Sequence, residues 1–521
     1  MTAEVASELI ATTSVIAETA RGKIRGINDR GVNIFKGIPY ARSPDGARRW
    51  RPPLAPDPWP GVRDTLAFGY RALQAEHSAG MTREVYELFG GHETLPMDEN
   101  CLVLNLWTPA LNDGGKRPVM FWCHGGAFIS GSGSTPWSEG SNLARNHGVV
   151  VVTINHRLGA FGYLHLEDFC GEEFAAAGLT GMFDIIAALR WVRENVAAFG
   201  GDPDNVTIFG ESGGGAKVSV LMAMPAAQGL FHRAIIQSGP AVQMALRDEA
   251  SASAMQLLDE LGLTPASAGE LRRIPAARIL TAQAAVLGRI GQMSFTKRRR
   301  VGFNPVIDGN HLPGGPFEPA APRLSASVPL MIGTNTDEML LFFAGQPWFE
   351  NLDEAAMRER VRMFVERRPD EIAAAYRRAR PRDSARELFS AIASDAGMRI
   401  PSLVTAERKA ALGAAPVFVY LFAWETTVLG GSLKSPHTLE IPFVFDNVGN
   451  SALAGDAPGR FTLADKMSRT WVAFARTGNP NHDRIPEWPA YSIEQRPTMI
   501  FDDQCRVEFD PYAAERRAWD K

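Results

Sequence analysis

Residues 209–215 read Phe-Gly-Glu-Ser-Gly-Gly-Gly, one serine between glycines with an acid before it, and the spacing Gly-x-Ser-x-Gly occurs once in the chain. A serine acts as a nucleophile when its hydroxyl is held out on a sharp, strained turn. Such a turn leaves no room for side chains two positions before and two after, and Gly210 and Gly214 meet that need. A helix starting just beyond the serine would aim free N–H groups at the point where negative charge develops in acyl transfer. A non-catalytic polar turn would carry the same letters, so the neighbours of Ser212 have to decide.

A serine hydroxyl needs a base. Of the ten histidines, His232 and His482 sit among charges, His147 lies in a loop and His311 in the turn-like Asp-Gly-Asn-His-Leu-Pro. His437 follows a proline and precedes the apolar run Ile-Pro-Phe-Val-Phe, the setting of a base delivered from a loop near strand ends. Composition alone barely separates it from its rivals. The orienting acid is sought between serine and histidine, where Asn-Thr-Asp-Glu-Met-Leu at 335–340 offers Asp337 and Glu338 after an apolar strand. Either would serve. The fourth requirement is an oxyanion hole. In His-Gly-Gly-Ala-Phe (124–128), Gly125 and Gly126 can expose N–H groups, and with the N–H of Gly213 they would converge on one oxygen. Each such donor is worth roughly 3 kcal/mol when removed singly. Ordinary turn glycines are the bland alternative.

These groups need a frame. Arg-Pro-Val-Met-Phe-Trp-Cys (117–123) and Gly-Val-Val-Val-Val-Thr-Ile (148–154) are apolar without alternation, which predicts parallel strands buried on both faces. Ile185, Ala188, Leu189, Val192 and Val196 recur at helical spacing, and Gly200–Gly201 end that run. The stretch around Ser212 then reads strand, glycine turn, helix. Further strands are expected at 328–335 and 416–424. Strands alternating with helices predict an α/β fold, a large, mostly parallel, doubly wound sheet. The segments at about 247–290 and 351–412 are rich in Ala, Leu, Arg and Glu at helical spacing, and we read them as helical insertions. A length of 521 residues exceeds the usual size of one core. Even so, the pattern predicts a single elaborated catalytic domain over 1–521.

Composition narrows the function classes. With 54 basic and 58 acidic residues the net charge is −4, which offers no electrostatic case for nucleic acid or an anionic membrane. The Arg298–Arg300 triplet reads as a solvated loop. The apolar runs are strand-length, too short for a membrane span. The amino-terminal stretch is interrupted by Glu4, Glu8 and Glu18 and lacks the signature of a signal peptide, so a soluble cytoplasmic protein is expected. Four scattered cysteines, Cys101, Cys123, Cys170 and Cys505, have no metal-ligand spacing, and no metal or cofactor is expected.

Taken together, these stretches resemble the type-B carboxylesterases, the carboxylesterase/cholinesterase branch of the α/β-hydrolases. The likeness runs through Phe-Lys-Gly-Ile-Pro-Tyr-Ala-Arg-Ser-Pro (35–44), Glu-Asn-Cys-Leu-Val-Leu-Asn-Leu-Trp-Thr-Pro (99–109), the 124–128 and 209–215 motifs, Gly-Thr-Asn-Thr-Asp-Glu (333–338) and His-Thr-Leu-Glu-Ile-Pro-Phe-Val-Phe (437–445). It implies an α/β-hydrolase fold and hydrolysis of small-molecule carboxylic esters through an acyl-enzyme. By the same resemblance Ser212 is the nucleophile, His437 the base and Glu338, rather than Asp337, the acid. Gly125, Gly126 and Gly213 become the oxyanion donors. Glu211 and Ser238 become polar supports near the histidine, and Arg49 with Glu99 a structural ion pair. Amides, thioesters or carbamates are alternative substrates of such machinery, and a non-catalytic binding protein is a remote one. The chain departs from the family's habit in carrying Gly213 for alanine, Met339 for glycine and Ala127 for a third glycine. No cysteine precedes Cys101 to pair with it. A base with an ordinary imidazole pKa predicts a rate that falls below about pH 6.5. Phe128, Leu341, Phe342, Phe343, Trp348 and Phe349 are candidate pocket residues, and 69–96 a candidate rim or lid.

Overall fold

The computed structural model describes residues 13–75, 81–88, 94–290 and 302–520. A 13-stranded sheet runs through them. In spatial order its strands are Thr13–Thr19, Gly22–Asp29, Val32–Pro39, Val103–Thr108, Val150–Ile154, Arg117–Cys123, Gly201–Glu211, Arg233–Gln237, Leu330–Asn335, Val417–Phe422, Pro497–Phe501 and Arg506–Phe509. Val62–Asp64 pairs off this path with Gly22–Asp29. From Val150–Ile154 to Pro497–Phe501 every neighbouring pair is parallel; beyond either end the pairs along this path are antiparallel, and only the off-path Val62–Asp64 pairs parallel, with Gly22–Asp29.

The central strands are buried along their length because helices cover both faces. Val150–Ile154, Leu330–Asn335 and Val417–Phe422 have no exposed position, which explains their unbroken apolar sequences. One hydrophobic cluster on one face gathers Phe121, Val152, Ile208 and Ile236, while the other holds Trp122, Val151, Phe209 and Ile235. Successive residues of one strand therefore enter opposite cores. The helix predicted after residue 180 spans Thr180–Asn195 and is buried at Ile185, Ala188, Leu189 and Val192.

The two expected insertions are helical. The first contains Arg247–Glu260 and Ala276–Ile290; the second contains Glu354–Phe364, Pro369–Ala379, Ala385–Ser394 and Ile400–Ala410. Phe343, Phe349, Met357, Tyr376 and Phe389 form a third apolar cluster under the second set. The Arg298–Arg300 triplet lies outside the described residues.

One buried ion pair ties a loop behind the site to the rest of the core. Asp184 accepts from Arg157 through both oxygens, at 2.7 Å and 2.8 Å, with both side chains almost wholly buried. Removing one partner strands a charge in an apolar interior, at about 3–5 kcal/mol. Asp184→Asn is accordingly expected to lower the urea midpoint of unfolding substantially; an unchanged midpoint would show the pair to be energetically idle.

Candidate active site

Ser212 joins the strand Gly201–Glu211 to the helix Gly213–Ala223 with φ 55° and ψ −122°, a backbone conformation costly for any residue bearing a Cβ. Its surroundings enforce that turn. A Cβ at Gly210 would lie 2.6 Å from the Cys123 carbonyl oxygen, and one at Gly214 would lie 2.0 Å from it. A Cβ at Gly239 would strike the Ser212 carbonyl at 2.2 Å. The Ser212 N–H donates to the Gln237 carbonyl at 2.8 Å, fixing the turn to the neighbouring strand. The hydroxyl itself has no hydrogen-bond partner among the described residues.

Strand order brings the other groups to the same carboxyl edge. Glu338 follows Leu330–Asn335 directly, and His437 arrives on the loop after Val417–Phe422, the next strand over. Backbone bonds weld the two loops: the Asp337 N–H donates to Ser435 at 3.0 Å and the His437 N–H to Glu338 at 3.2 Å. The His437 ring then sets Nδ1 2.6 Å from Glu338 Oε2, while Glu338 Oε1 accepts the Asn335 N–H at 2.8 Å. Asp337 turns away, accepting from Thr336 Oγ1 at 2.7 Å. On the far side of the ring, Nε2 faces Glu211 Oε1 at 3.1 Å. Glu211 Oε1 makes no hydrogen bond among the described residues, so this is an electrostatic approach and not a formed hydrogen bond.

The 124–127 turn lies over Ser212: a Cβ at Gly125 would sit 3.7 Å from that of Ser212. Its carbonyls are all occupied elsewhere. Gly125 O is 2.8 Å from His124 Nδ1, and Gly126 O accepts the Ser130 N–H at 3.0 Å. Because each peptide is planar and trans, anchoring a carbonyl on one side turns the next residue's N–H to the other. The N–H groups of Gly125, Gly126 and Ala127 consequently have no acceptor among the described residues. Ala127 was not among the donors expected from sequence. It adopts φ 51°, and its nitrogen would lie 2.4 Å from a Cβ at Gly213, so its amide borders that of Gly213. The signal was present as a missing third glycine, but only the backbone shows alanine held in a left-handed conformation.

Sequence reasoning also missed a buried polar chain behind the histidine. Asn335 Nδ2 donates to Pro436 O at 2.7 Å and to Glu440 Oε2 at 2.8 Å; Gln237 Nε2 donates to Glu440 Oε1 at 3.1 Å, while Gln237 Oε1 accepts from Trp471 Nε1 at 3.0 Å. Glu440, three residues after His437 in an apolar run, was the available clue. Ser238 is fully buried beside this group, at φ 48°, yet its hydroxyl has no partner among the described residues, so no hydrogen bond links it to His437. The resemblance-based pair is formed: Arg49 grips Glu99 through Nε at 2.7 Å and Nη2 at 2.5 Å.

Three buried carboxylates around one imidazole set the electrostatics. Burial pushes Glu440 up to about 7, with the Glu338 charge adding to it, and burial likewise raises Glu211. For His437 burial alone would lower the pKa, but Glu211 and Glu338 together outweigh it and hold the ring above 6.5. The acid limb expected at about 6.5 from an ordinary imidazole therefore moves upward. Glu211 and His437 titrate as a pair. Glu211→Gln removes an anion beside Nε2, and we expect the acid limb of kcat/KM to move to lower pH by about one pH unit. A pH-rate profile checks this, and an unmoved or raised limb would contradict it.

Of the candidate pocket residues, Phe342 packs on the His437 ring, 5.5 Å away between centroids. Phe343, Trp348 and Phe349 stack instead among themselves and Phe389 in the satellite cluster. Phe128 and Leu341 belong to the two main cores. In the 69–96 segment the helix Arg83–Leu88 is described, while 76–80 and 89–93 lie outside the described residues. All four cysteines are free thiols.

The chain's similarities agree with this geometry. Residues 12–519 match the profile of the carboxylesterase family. The chain is 36% identical to the para-nitrobenzyl esterase of Bacillus subtilis (strain 168), across 97% of this chain and 98% of that protein. It is 33% identical to the liver carboxylesterase of Sus scrofa, over 92% of this chain and 88% of the other. The crystal structure of a Geobacillus stearothermophilus carboxylesterase at pH 6.2 superposes with a TM-score of 0.84 at 41% identity, covering 97% of this chain and 99% of that one.

Proposed function

Because the chain belongs to the carboxylesterase family and is a carboxylic-ester hydrolase of the α/β-hydrolase fold, we propose that Ser212, His437 and Glu338 are the residues that carry the reaction. In this reading His437 Nε2 takes the Ser212 proton as Oγ attacks the ester carbonyl. Glu338 holds the ring by Nδ1–H and stabilises the imidazolium. The N–H groups of Gly125, Gly126 and Ala127, with that of Gly213, receive the oxyanion. His437 then returns the proton to the departing alcohol, and water repeats the sequence on the acyl-enzyme. The mechanism calls on no metal or cofactor.

The observation that carries this reading is the buried 2.6 Å Glu338–His437 contact, whose imidazole ring lies 3.1 Å from Glu211, the residue that precedes Ser212 in its strained turn. The test is stoichiometric labelling with p-nitrophenyl diethyl phosphate followed by peptide mapping. A label on Ser212 is expected; labelling elsewhere, or none in active enzyme, would overturn the assignment. A panel of p-nitrophenyl esters against matched anilides should show the esters turned over far faster. A cytoplasmic setting is part of the same proposal, supported by the free thiols of Cys101 and Cys123 deep in the core.

A further inference from the structure

Lys217 lies one turn into the helix Gly213–Ala223 with no exposed surface, a placement that lysine rarely tolerates. No carboxylate pairs with it among the described residues. Its Nζ instead donates to His124 O at 2.9 Å and to Ala127 O at 2.8 Å, with the Phe128 ring 5.5 Å away. Those two carbonyls stand at either end of the turn whose N–H groups face Ser212. The two carbonyls between them are held from within the turn, by the His124 ring and by Ser130.

We propose that Lys217 is a positioning residue for the oxyanion hole, clamping the first and last peptide planes of the 124–127 turn so that its N–H groups converge on the serine. The inference rests on the oxyanion role assigned above to that turn. Planarity supplies the mechanism: drawing His124 O toward Nζ turns the Gly125 N–H to the opposite side, while the bond to Ala127 O fixes the plane that follows Ala127 and so pins the residue whose own N–H is turned by the Gly126 carbonyl. Gly213 complements the clamp. Ala127 O and N would lie 2.3 Å and 2.4 Å from a Cβ at 213, so any side chain there would collide with a turn drawn in this far. Glycine and lysine on one helix thus form one device. Burial lowers the Lys217 pKa to about 7, but a neutral amine keeps two N–H donors for two carbonyls, so the clamp survives loss of the charge.

The test compares wild type with Lys217→Met. We expect kcat for p-nitrophenyl acetate to fall about 10²–10³-fold with KM within about threefold, as for loss of an oxyanion donor. The second readout is inhibition by a trifluoromethyl ketone and by its methyl ketone analogue. Ser212 Oγ adds to the carbonyl carbon activated by the adjacent trifluoromethyl group, its proton passes to His437, and the carbonyl oxygen becomes the oxyanion. The trifluoromethyl ketone's advantage should shrink in parallel with kcat. A buried lysine that only stabilised the fold would lower Tm and leave that ratio alone. Lys217→Gln keeps two N–H donors but on a side chain one bond shorter, too short to hold both carbonyls at once, so only partial recovery relative to Met is expected. Should Lys217→Met not fold, Lys217→Gln decides by itself: a kcat loss of about tenfold at steady KM supports the clamp, and an unchanged kcat and ketone ratio overturns it. Folded Lys217→Met with wild-type kcat also overturns it. Stoichiometric phosphorylation of wild-type Ser212 would leave the triad assignment standing in either case, whereas failure of that labelling would sink the underlying reading first.

Discussion

Ser212→Ala is expected to lower kcat/KM for p-nitrophenyl esters by about 10⁴–10⁶-fold while leaving the fold and its melting temperature essentially unchanged. The size of the effect follows from losing the only group that bonds to the acyl carbon, after which base, acid and oxyanion donors have nothing to activate. The small structural cost follows from the surroundings. The residue is half-buried and its hydroxyl has no hydrogen-bond partner among the described residues, so its removal strands no donor or acceptor. Alanine bears the same Cβ at φ 55° and inherits the strain without adding to it. Steady-state kinetics with far-ultraviolet circular dichroism and a thermal melt check both halves. Residual activity within tenfold of wild type would remove Ser212 from the mechanism.

The second large effect is a contrast between neighbours. Glu338→Gln should reduce kcat by about 10³–10⁴-fold, whereas Asp337→Asn should stay within about threefold. Glutamine keeps the size of the side chain, and its carbonyl can still accept the Asn335 N–H now bound to Oε1 at 2.8 Å. Its amide NH₂ then faces Nδ1, 2.6 Å away in the present arrangement. Nδ1 must then accept, the ring proton moves to Nε2, and the nitrogen that should take the serine proton already carries one. Asp337 makes no contact with the ring and bonds Thr336 instead. Equal losses in the two variants, or a larger loss in Asp337→Asn, would transfer the acid's role away from Glu338.

Much of this site was legible beforehand, and the legible parts share a cause. Gly210, Ser212 and Gly214 are close in sequence, and the steric demand of a sharp turn acts over those few residues. The unbroken valines of 150–154 announced a strand covered on both faces, and Thr180–Asn195 displayed its buried stripe at helical spacing. Less of the pocket was readable. Phe342 and Phe343 are adjacent, yet one packs on His437 and the other on Phe389. An apolar run does not say which of its residues faces a cavity.

The chain's own letters determined the strained turn at Ser212, the glycine-bearing loop after a core strand and the parallel α/β frame, all features governed by local sterics and by hydrophobic periodicity. Tertiary structure alone decided that a carboxylate 99 residues before His437 lies on its Nδ1 while the adjacent one points elsewhere. It also decided that Glu440, Asn335 and Gln237 back the histidine, and that Lys217 reaches two carbonyls of a turn some 90 residues earlier in the chain. Those contacts arise from which strand ends are neighbours in the sheet and from which side chains burial leaves without water. Neither is written in the spacing of residues along a single segment.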